Sequence, residues 1–336
     1  MPIPVFGYAQ ETGLELGVGV LYSFFVDRKD TTNRSSNFYG AASYSTKKTY
    51  NLTIKGDAWS KGNLYHAITE IRFRRMPFDF YGLGNNTHNA DEDPLVQEQI
   101  KLAFDLEKTF VKNAYTGVSL GFEDYQFEDR TTGGIFDQDN RILGRTGGNV
   151  ILVGLSQSYD TRNSNNYPTK GFFGRVTYQY APDFFGGDNF NGSQIKLNLR
   201  NFWTVGPKFV LAAQGFYSTI QSKDTPFYML QQLGSDALMR GYYAGRYRDK
   251  NLLAAQAELR YRYSNRFGAV IFAGTGTVWG HSAFAMDTFK PNYGAGIRYF
   301  FDPAKGLSVR LDYGIGEKRA NEPRQSGAYI SLAEAF

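Results

Sequence analysis

The clearest pattern in the chain is the strict alternation of apolar and polar residues between positions 251 and 263. One face carries Leu253, Ala255, Ala257, Leu259, Tyr261 and Tyr263. The other face carries Gln256, Glu258, Arg260 and Arg262. A period of two predicts a β-strand. The charged face must point to a polar interior, and the apolar face must point to an apolar exterior. This arrangement is the reverse of that in a soluble protein and is typical of a transmembrane barrel.

Comparable alternating segments recur through the chain, and we predict sixteen strands. They are 14–25, 37–46, 49–58, 64–74, 78–86, 97–108, 113–126, 147–159, 171–181, 191–204, 207–220, 251–263, 267–279, 291–301, 307–316 and 328–336. An even number is expected of a bacterial barrel. The pattern therefore predicts an all-β protein, a transmembrane antiparallel up-and-down barrel that occupies residues 14–336. Residues 1–13 are predicted to be a short periplasmic segment.

The connections between these segments alternate between short and long. The short ones are 46–48, 76–77, 205–207, 264–266 and 302–306, and the long ones are 26–36, 87–96, 127–146, 221–250, 280–290 and 317–327. Outer-membrane barrels have short periplasmic turns and long external loops. We expect 59–63 to be an exception at the long-loop end and 160–170 an exception at the short-turn end.

Composition narrows the class further. The chain has 336 residues, 16% aromatic residues and no cysteine, which excludes disulfides and thiolate metal sites. No apolar run approaches the roughly 20 residues of a spanning helix. The net charge is +5, but basic residues are scattered among carboxylates, so we expect no nucleic-acid partner. Residues 1–6 lack the features of an export signal. We therefore expect a Gram-negative outer-membrane protein whose signal peptide was removed, in contact with the lipid bilayer and lipopolysaccharide.

The patterns that could indicate catalysis or a cofactor are weak. Ser119 lies in a Gly-x-Ser-x-Gly sequence, but within an alternating strand and not in the strand-to-helix turn of a nucleophile elbow. The histidines, His66, His88 and His281, are too far apart for metal-ligand spacing. We predict no enzyme, cofactor or metal site, and keep an outer-membrane lipid hydrolase as the weakest alternative.

The longest connection, 221–250, contains the sequence Arg240-Gly241-Tyr242. Two interpretations are open. The loop is either exposed at the surface or folded back into the lumen, where the Arg240 guanidinium would pair with carboxylates of the wall. The candidate partners are Glu258, which faces inward on the next strand, and Asp312, which faces inward nearby.

At these residues the chain resembles the bacterial surface antigen family, the superfamily of sixteen-stranded BamA- and TamA-type assembly barrels. The Arg240-Gly241-Tyr242 sequence falls in the sixth external loop, between the predicted eleventh and twelfth strands, as in the family. Residues 159–163 and 167–172 resemble the family's periplasmic turn, with matches at Asp160, Arg162, Pro168 and Gly171. Residues 80–87 resemble members that carry only the barrel. The chain ends on a terminal aromatic like the sorting signal of such barrels, with Tyr329, Leu332 and Phe336 at its positions.

The chain departs from the family at three points. Gly274 stands where the family often has an aspartate two residues after a phenylalanine, here Phe272, so a loop lock would depend on Glu258 and Asp312. Glu334 stands where the sorting signal is usually apolar, and we expect it near the membrane interface. We expect no periplasmic POTRA domain before the barrel, so the resemblance does not directly imply the insertase role.

The resemblance implies a non-enzymatic barrel of the assembly and translocation superfamily. Such a barrel would insert or transport membrane proteins or lipids through a weak seam between its first and last strands, with periplasmic or lipoprotein partner subunits. A passive porin-like channel is the alternative.

Overall fold

The computed structural model describes residues 2–9, 13–27, 29 and 33–336, and the side chains of all of these except 2–9 and 13. Sixteen strands form one antiparallel sheet in which each strand pairs with its neighbours in the chain. They are β1 Pro2–Ala9, β2 Gly13–Phe24, β3 Ser36–Ser45, β4 Tyr50–Trp59, β5 Tyr65–Phe80, β6 Asp93–Val111, β7 Ala114–Asp129, β8 Gly147–Asp160, β9 Gly171–Ala181, β10 Gly192–Thr204, β11 Phe209–Gln221, β14 Asn251–Arg262, β15 Phe267–Trp279, β16 Lys290–Asp302, β17 Leu307–Ile315 and β18 Ser326–Leu332.

The remaining elements lie in the connections. Two short strands, β12 Gln231–Leu233 and β13 Tyr247–Asp249, pair with each other between β11 and β14. The helical pieces are α1 Ile135–Gln138 and the 3₁₀ turns Lys61–Asn63, Asn89–Asp91, Phe227–Met229 and Met286–Thr288. Among the described residues, no helix combines the length and the apolar character needed to cross a membrane.

The predicted up-and-down barrel with an inverted polarity is confirmed. On β14, Gln256, Glu258 and Arg260 are buried, whereas Ala255, Ala257 and Leu259 are exposed on the outer face. On the other strands whose side chains the structure describes, outward leucine, valine and aromatic side chains form an exposed apolar band. Lipid is the solvent that such a band requires.

The sequence prediction was wrong about two strands, and the two errors cancel in the count. Residues 78–86 are not a separate strand, because β5 runs without a break through Met76 and Pro77 as far as Phe80. The expectation that 1–13 lies outside the sheet is wrong for residues 2–9, because Pro2–Ala9 forms β1 and pairs with β2. Pro77 suggested a corner because proline cannot donate to a ladder. It is tolerated here because β4 pairs with β5 only as far as Arg75.

These corrections reassign the first connections. Residues 25–35 join β2 to β3 at the short-turn end, the end of the barrel that also carries 112–113, 205–208 and 263–266. Residues 46–49 lie at the opposite, long-loop end. The connection 60–64 is therefore an ordinary turn and no exception, whereas 161–170 is unusually long for the short-turn end, as predicted.

The wall of the barrel is uneven in height. Strand β6 has 19 residues and β4 has 10. The last five residues of β5, 76–80, extend beyond the pairing with β4. At about 3.3 Å per residue this is roughly 17 Å of strand whose edge β4 does not cover. One N–H on this edge, that of Asp79, donates instead to the hydroxyl of Tyr243 at 2.9 Å.

The hydrophobic core lies inside the barrel, toward the long-loop end. We name the loops there L3 (residues 81–92), L4 (130–146), L6 (222–250), L7 (280–289) and L8 (316–325). One buried cluster joins Phe80 of β5 and Phe136 of L4 to Phe227 of L6. Another joins Met239, Tyr242 and the L6 hairpin to the inner face of β14 and β15. L6 therefore lies in the lumen, and it is the packing of this loop that positions the site.

Candidate functional site

Arg240 lies in the part of L6 that packs between β14 and β17. Its side chain is 0% exposed. The guanidinium Nη1 lies 2.7 Å from Asp312 Oδ2, and Nη2 is bonded to Glu258 Oε1. The Arg240 Cζ atom also lies 3.6 Å from the centre of the Phe272 ring. The lumen-inserted interpretation is therefore confirmed, and the structure brings both candidate carboxylates to Arg240.

Gly241 permits the backbone to turn at this point. Its φ is 109°, a conformation that L side chains rarely adopt. A Cβ atom at position 241 would lie 2.8 Å from the backbone of Ile315 on β17. The loop thus passes directly against the wall, and only glycine fits between them.

Arg240 belongs to a larger network of charges, which is buried except at Asp236, whose side chain is 49% exposed. Arg260 Nε donates to Glu258 Oε2 at 2.8 Å. Arg298 bonds Asp312 Oδ1 at 2.5 Å and Glu334 Oε2 at 2.8 Å. Arg310 bonds Asp312 Oδ2 at 2.8 Å and Asp236 Oδ2 at 2.7 Å. The network is balanced, since its four guanidiniums are Arg240, Arg260, Arg298 and Arg310 and its four carboxylates are Asp236, Glu258, Asp312 and Glu334.

Balance matters because an uncompensated charge in such a place is costly, whereas a well-paired one is tolerated. Sequence reasoning placed Arg260 on the polar inner face but did not connect it to Arg240, and it missed Arg298. The period-two pattern of β16 could have found Arg298. Which inward arginine pairs with which carboxylate on another strand cannot be predicted from the sequence pattern.

The glycine at 274 has a steric explanation. A Cβ atom there would lie 2.7 Å from Asn292 Oδ1 and 2.8 Å from the Ala255 carbonyl, so an aspartate would not fit without a shift. Asn292 itself contacts L6, since its Nδ2 donates to the Arg240 carbonyl at 2.9 Å. An amide on β16 thus holds the backbone of the loop, a contact that sequence reasoning missed.

Two tyrosines tie the loop to the end of the sheet. The Tyr329 hydroxyl of β18 accepts from the Gly241 N–H at 2.8 Å and donates to the Tyr242 carbonyl at 3.3 Å. The Tyr242 hydroxyl donates to the Pro291 carbonyl at 2.6 Å and accepts from the Glu317 N–H at 2.8 Å. Burial raises the pKa of Tyr242 above its usual value, so its hydroxyl stays protonated and able to donate.

A second loop covers L6 from the outer side. Gly84 N–H donates to the Arg248 carbonyl at 2.8 Å. Arg246 Nη2 donates to the Thr87 carbonyl at 3.2 Å, and its guanidinium lies 4.2 Å from the Tyr81 ring centre. The sequence motif at 80–87 is therefore the part of L3 that docks on L6. Sequence reasoning noticed both motifs but missed their contact, which only the fold of the barrel brings about.

Comparison with known proteins identifies the architecture. The model of the Omp85 superfamily domain matches residues 5–336. The chain belongs to the Omp85 superfamily. The expected relationship to the BamA-type barrels is confirmed, and this Omp85 chain is an outer-membrane β-barrel. No curated protein matches its sequence.

Solved structures share the fold at low sequence identity. BamA from Haemophilus ducreyi lacking POTRA domains 1–3 superposes with a TM-score of 0.60 at 14% identity, over 97% of this chain and 69% of that one. CdiB from Acinetobacter baumannii gives 0.59 at 10% identity, over 99% of this chain and 59% of that one. CdiB from Escherichia coli gives a TM-score of 0.59 at 10% identity, over 99% of this chain and 61% of that one. This Omp85 chain thus spans about three fifths to two thirds of these neighbours.

The predicted turn motif lies at the short-turn end of the Omp85 barrel. Asp160 Oδ2 accepts from Arg162 at 2.8 Å and lies 3.0 Å from Arg34 Nη1. Gly171 has a φ of 106°, and a Cβ there would lie 2.4 Å from the Thr161 carbonyl. Pro168 is buried within the turn. The four residues therefore shape a wide turn that packs against residues 33–35, and its recognition role stays a prediction.

The end of the Omp85 chain turns into the lumen after β18. Ala333 has a φ of 65°, and Glu334 beyond it bonds Arg298. The Glu334 side chain faces the lumen, where the inward Arg298 pairs with it, and its position near the membrane interface stays a prediction. Phe336 is buried against Phe202 and the Arg260 guanidinium. The role of Tyr329, Leu332 and Phe336 as a sorting signal stays a prediction.

The residues weighed for catalysis are separated. Ser119 is buried on β7 and accepts from Gln179 at 2.8 Å. His66 lies between Asp57 and Glu107, His88 contacts Glu322, and His281 contacts Asp249. In the part of the chain that the structure describes, no group of three or more histidine, aspartate and glutamate residues could hold a metal ion.

Proposed function

We propose that this Omp85 barrel is a non-enzymatic component that inserts or transports membrane proteins or lipids at the outer membrane, together with periplasmic or lipoprotein partners. The observation that carries the proposal is the attachment of L6 to the last strand. Gly241 bonds Tyr329 of β18, and the Ser331 hydroxyl of β18 donates to Asp236 at 2.6 Å. A passive pore has no need for a loop that holds one particular strand.

The attachment matters because β18 is weakly held by backbone pairing. It has seven residues and pairs with β17. Within the described residues, no backbone ladder joins β18 to β1. An unpaired edge in lipid costs several kcal/mol per unsatisfied group, so β18 gains from a second attachment inside the lumen. In the proposed function, release of L6 loosens β18 and opens the seam to a client.

A porin-like channel is the second candidate, and one observation favours it. Lys55 and Asp57 face the lumen from β4, with side chains 52% and 42% exposed. The lumen beside these residues is therefore hydrated, although L6 occupies the other side. Continuous conductance through that hydrated side would support a channel.

The test is client folding with the full chain reconstituted in lipid vesicles. A urea-denatured eight-stranded outer-membrane barrel serves as the client, and its folding is followed by heat modifiability in gel electrophoresis. We expect faster folding than in empty vesicles and in vesicles that hold an unrelated porin. The same preparation in planar bilayers should give small, flickering currents. A large stable pore without faster client folding would favour the channel and contradict the proposal.

A further inference from the structure

A partly open cavity of about 270 Å³ lies between L6 and the tall part of the wall formed by β5, β6 and β7. Its walls are aromatic, with Phe127 of β7 and Phe227 and Tyr228 of L6 among them. Two guanidiniums face it, Arg74 of β5 and Arg248 of L6. The cavity thus combines aromatic walls with convergent polar groups, a combination that fixes the orientation of ligands in binding sites.

Arg248 is unlike the other buried arginines of L6. Arg240 has two carboxylate partners, and Arg246 lies 3.4 Å from Glu322. Arg248 is only 1% exposed, and within the described residues no carboxylate lies within ion-pair distance of it. Its Nε donates to the Gly245 carbonyl at 3.2 Å, and its guanidinium lies 4.8 Å from the Phe80 ring centre.

These contacts do not neutralise the charge of Arg248. Burial lowers its pKa to about 10, which still leaves the guanidinium protonated at neutral pH. A buried cation without an anion is strongly unfavourable unless something compensates it. The cavity beside it is the place where a compensating anion would fit.

The second guanidinium adds to the deficit of negative charge. Arg74 Nη2 donates to Gln97 at 3.3 Å, and its Nε is buried with no partner. The two wall carboxylates that act electrostatically on Arg74 are those of Glu123 and Glu70. Both are already engaged with Lys101, whose Nζ lies 3.2 Å from Glu123 Oε1 and 3.7 Å from Glu70 Oε2. The Tyr228 hydroxyl is also buried without a partner. The cavity thus offers two positive charges and unused donors.

We propose that this cavity binds a phosphomonoester carried on a sugar-sized body. The planar guanidinium fork matches phosphate oxygens in two-point contacts, and two guanidiniums match a dianion. The aromatic walls suit the apolar face of a sugar ring. The volume lies just below the roughly 300–1,000 Å³ of pockets for drug-sized ligands, so a monosaccharide phosphate fits the available space.

The site has a route to the outside. Met76, Pro77 and Phe78 line the cavity and lie on the part of β5 that rises beyond β4. Tyr243 and Ala244 of L6, which also line it, are exposed. The ligand can therefore be a phosphorylated glycolipid headgroup of the outer leaflet or a soluble sugar phosphate. The inference is independent of the proposed function, since it concerns a static site and not client folding.

Binding is measured by calorimetry on the purified full chain in detergent, with glucose 1-phosphate as the probe and glucose as the uncharged comparison. We expect saturable binding of glucose 1-phosphate and none of glucose. Arg248→Gln and Arg74→Gln should each weaken binding at least about tenfold, because each removes a charge-assisted contact. Lys55→Gln, which removes an exposed lumenal cation outside the cavity, should leave the affinity unchanged. Arg74→Gln carries the test if Arg248→Gln does not fold.

A second titration distinguishes the two sources. Lipid A in nanodiscs is compared with the same lipid after phosphate removal. Binding of lipid A alone assigns the site to the glycolipid, binding of glucose 1-phosphate alone assigns it to a solute, and either supports the proposal. Absence of binding by both phosphorylated probes overturns it. Equal affinity in the wild type and in both arginine variants overturns it as well.

Discussion

Replacing Arg240 with alanine should unlock L6 from the wall of the barrel. Arg240 is fully buried and paired with Glu258 and Asp312, which are themselves buried. The substitution leaves both carboxylates in place and changes the network from four charges of each sign to three positive and four negative. The wall then carries one uncompensated negative charge, and the loop loses both of the ion pairs that Arg240 makes with it.

The loss of stability in Arg240→Ala depends on the ion pairs that Glu258 and Asp312 keep. Breaking a buried pair by removing one partner typically costs about 3–5 kcal/mol. Glu258 keeps Arg260 and Asp312 keeps Arg298 and Arg310, so we expect the low end, about 3 kcal/mol. Unfolding entropy near 2.1 cal/mol/K per residue over 336 residues then converts this to a melting shift of about 4 °C.

The assay is heat modifiability, with the midpoint temperature of unfolding read from gels, combined with single-channel recording. Arg240→Ala should lower the midpoint and lengthen the open events. Arg141→Ala is the matched control, because Arg141 pairs with Asp139 at 2.6 Å but is 57% exposed, and surface pairs contribute about 0–1 kcal/mol. If both variants melt and conduct like the wild type, the lock does not hold the loop.

Three further predictions concern the loop and its contacts. Gly241→Ala should destabilise the barrel because its Cβ meets the wall at 2.8 Å, whereas Gly215→Ala, with nothing within 4 Å, should not; melting midpoints of the pair decide this. Tyr329→Phe leaves the Gly241 N–H without its acceptor and should cost about 1–3 kcal/mol, seen as faster proteolysis of L6. Burial tends to raise the pKa of Asp249, but hydrogen bonds from His281 and the backbone outweigh this and hold it below its usual value. Its stabilising contribution is therefore complete above the unfolded pKa of about 4 and is lost as pH falls through the lower folded pKa. L6 proteolysis should rise in acid, and Asp249→Asn should remove that dependence.

Most of the fold could be predicted from the local alternation of polar and apolar residues. A period of two reports which face of a strand is polar, and this was sufficient to predict the barrel and the inward position of Glu258 and Asp312. It failed where proline interrupts the pattern. Pro77 resembles a corner in sequence, but it pairs with β6 on one side and is not covered by β4 on the other. Only the register of β4 against β5 reveals this.

The candidate site was predicted less completely, because it depends on contacts between distant segments. Arg240 and its two partners could be proposed from their inward positions. The docking of L3 on L6, the position of Glu334 beside Arg298 and the bond between Tyr329 and Gly241 could not, since each depends on how loops fold after the barrel has formed. Arg248 illustrates the limit, because its sequence neighbours give no sign that it lacks a carboxylate.

The most direct measurement tests whether L6 must leave β18 for clients to fold. The chain has no cysteine, so Asp236→Cys combined with Ser331→Cys can be joined by a short reducible linker across the contact seen at 2.6 Å. Thr116→Cys combined with Gln157→Cys, joined in the same way across a 2.7 Å contact between β7 and β8, is the control. We predict that the first linkage stops client folding, that reduction restores it, and that the control linkage has no effect. Client folding at the wild-type rate with L6 tethered to β18 would contradict the account.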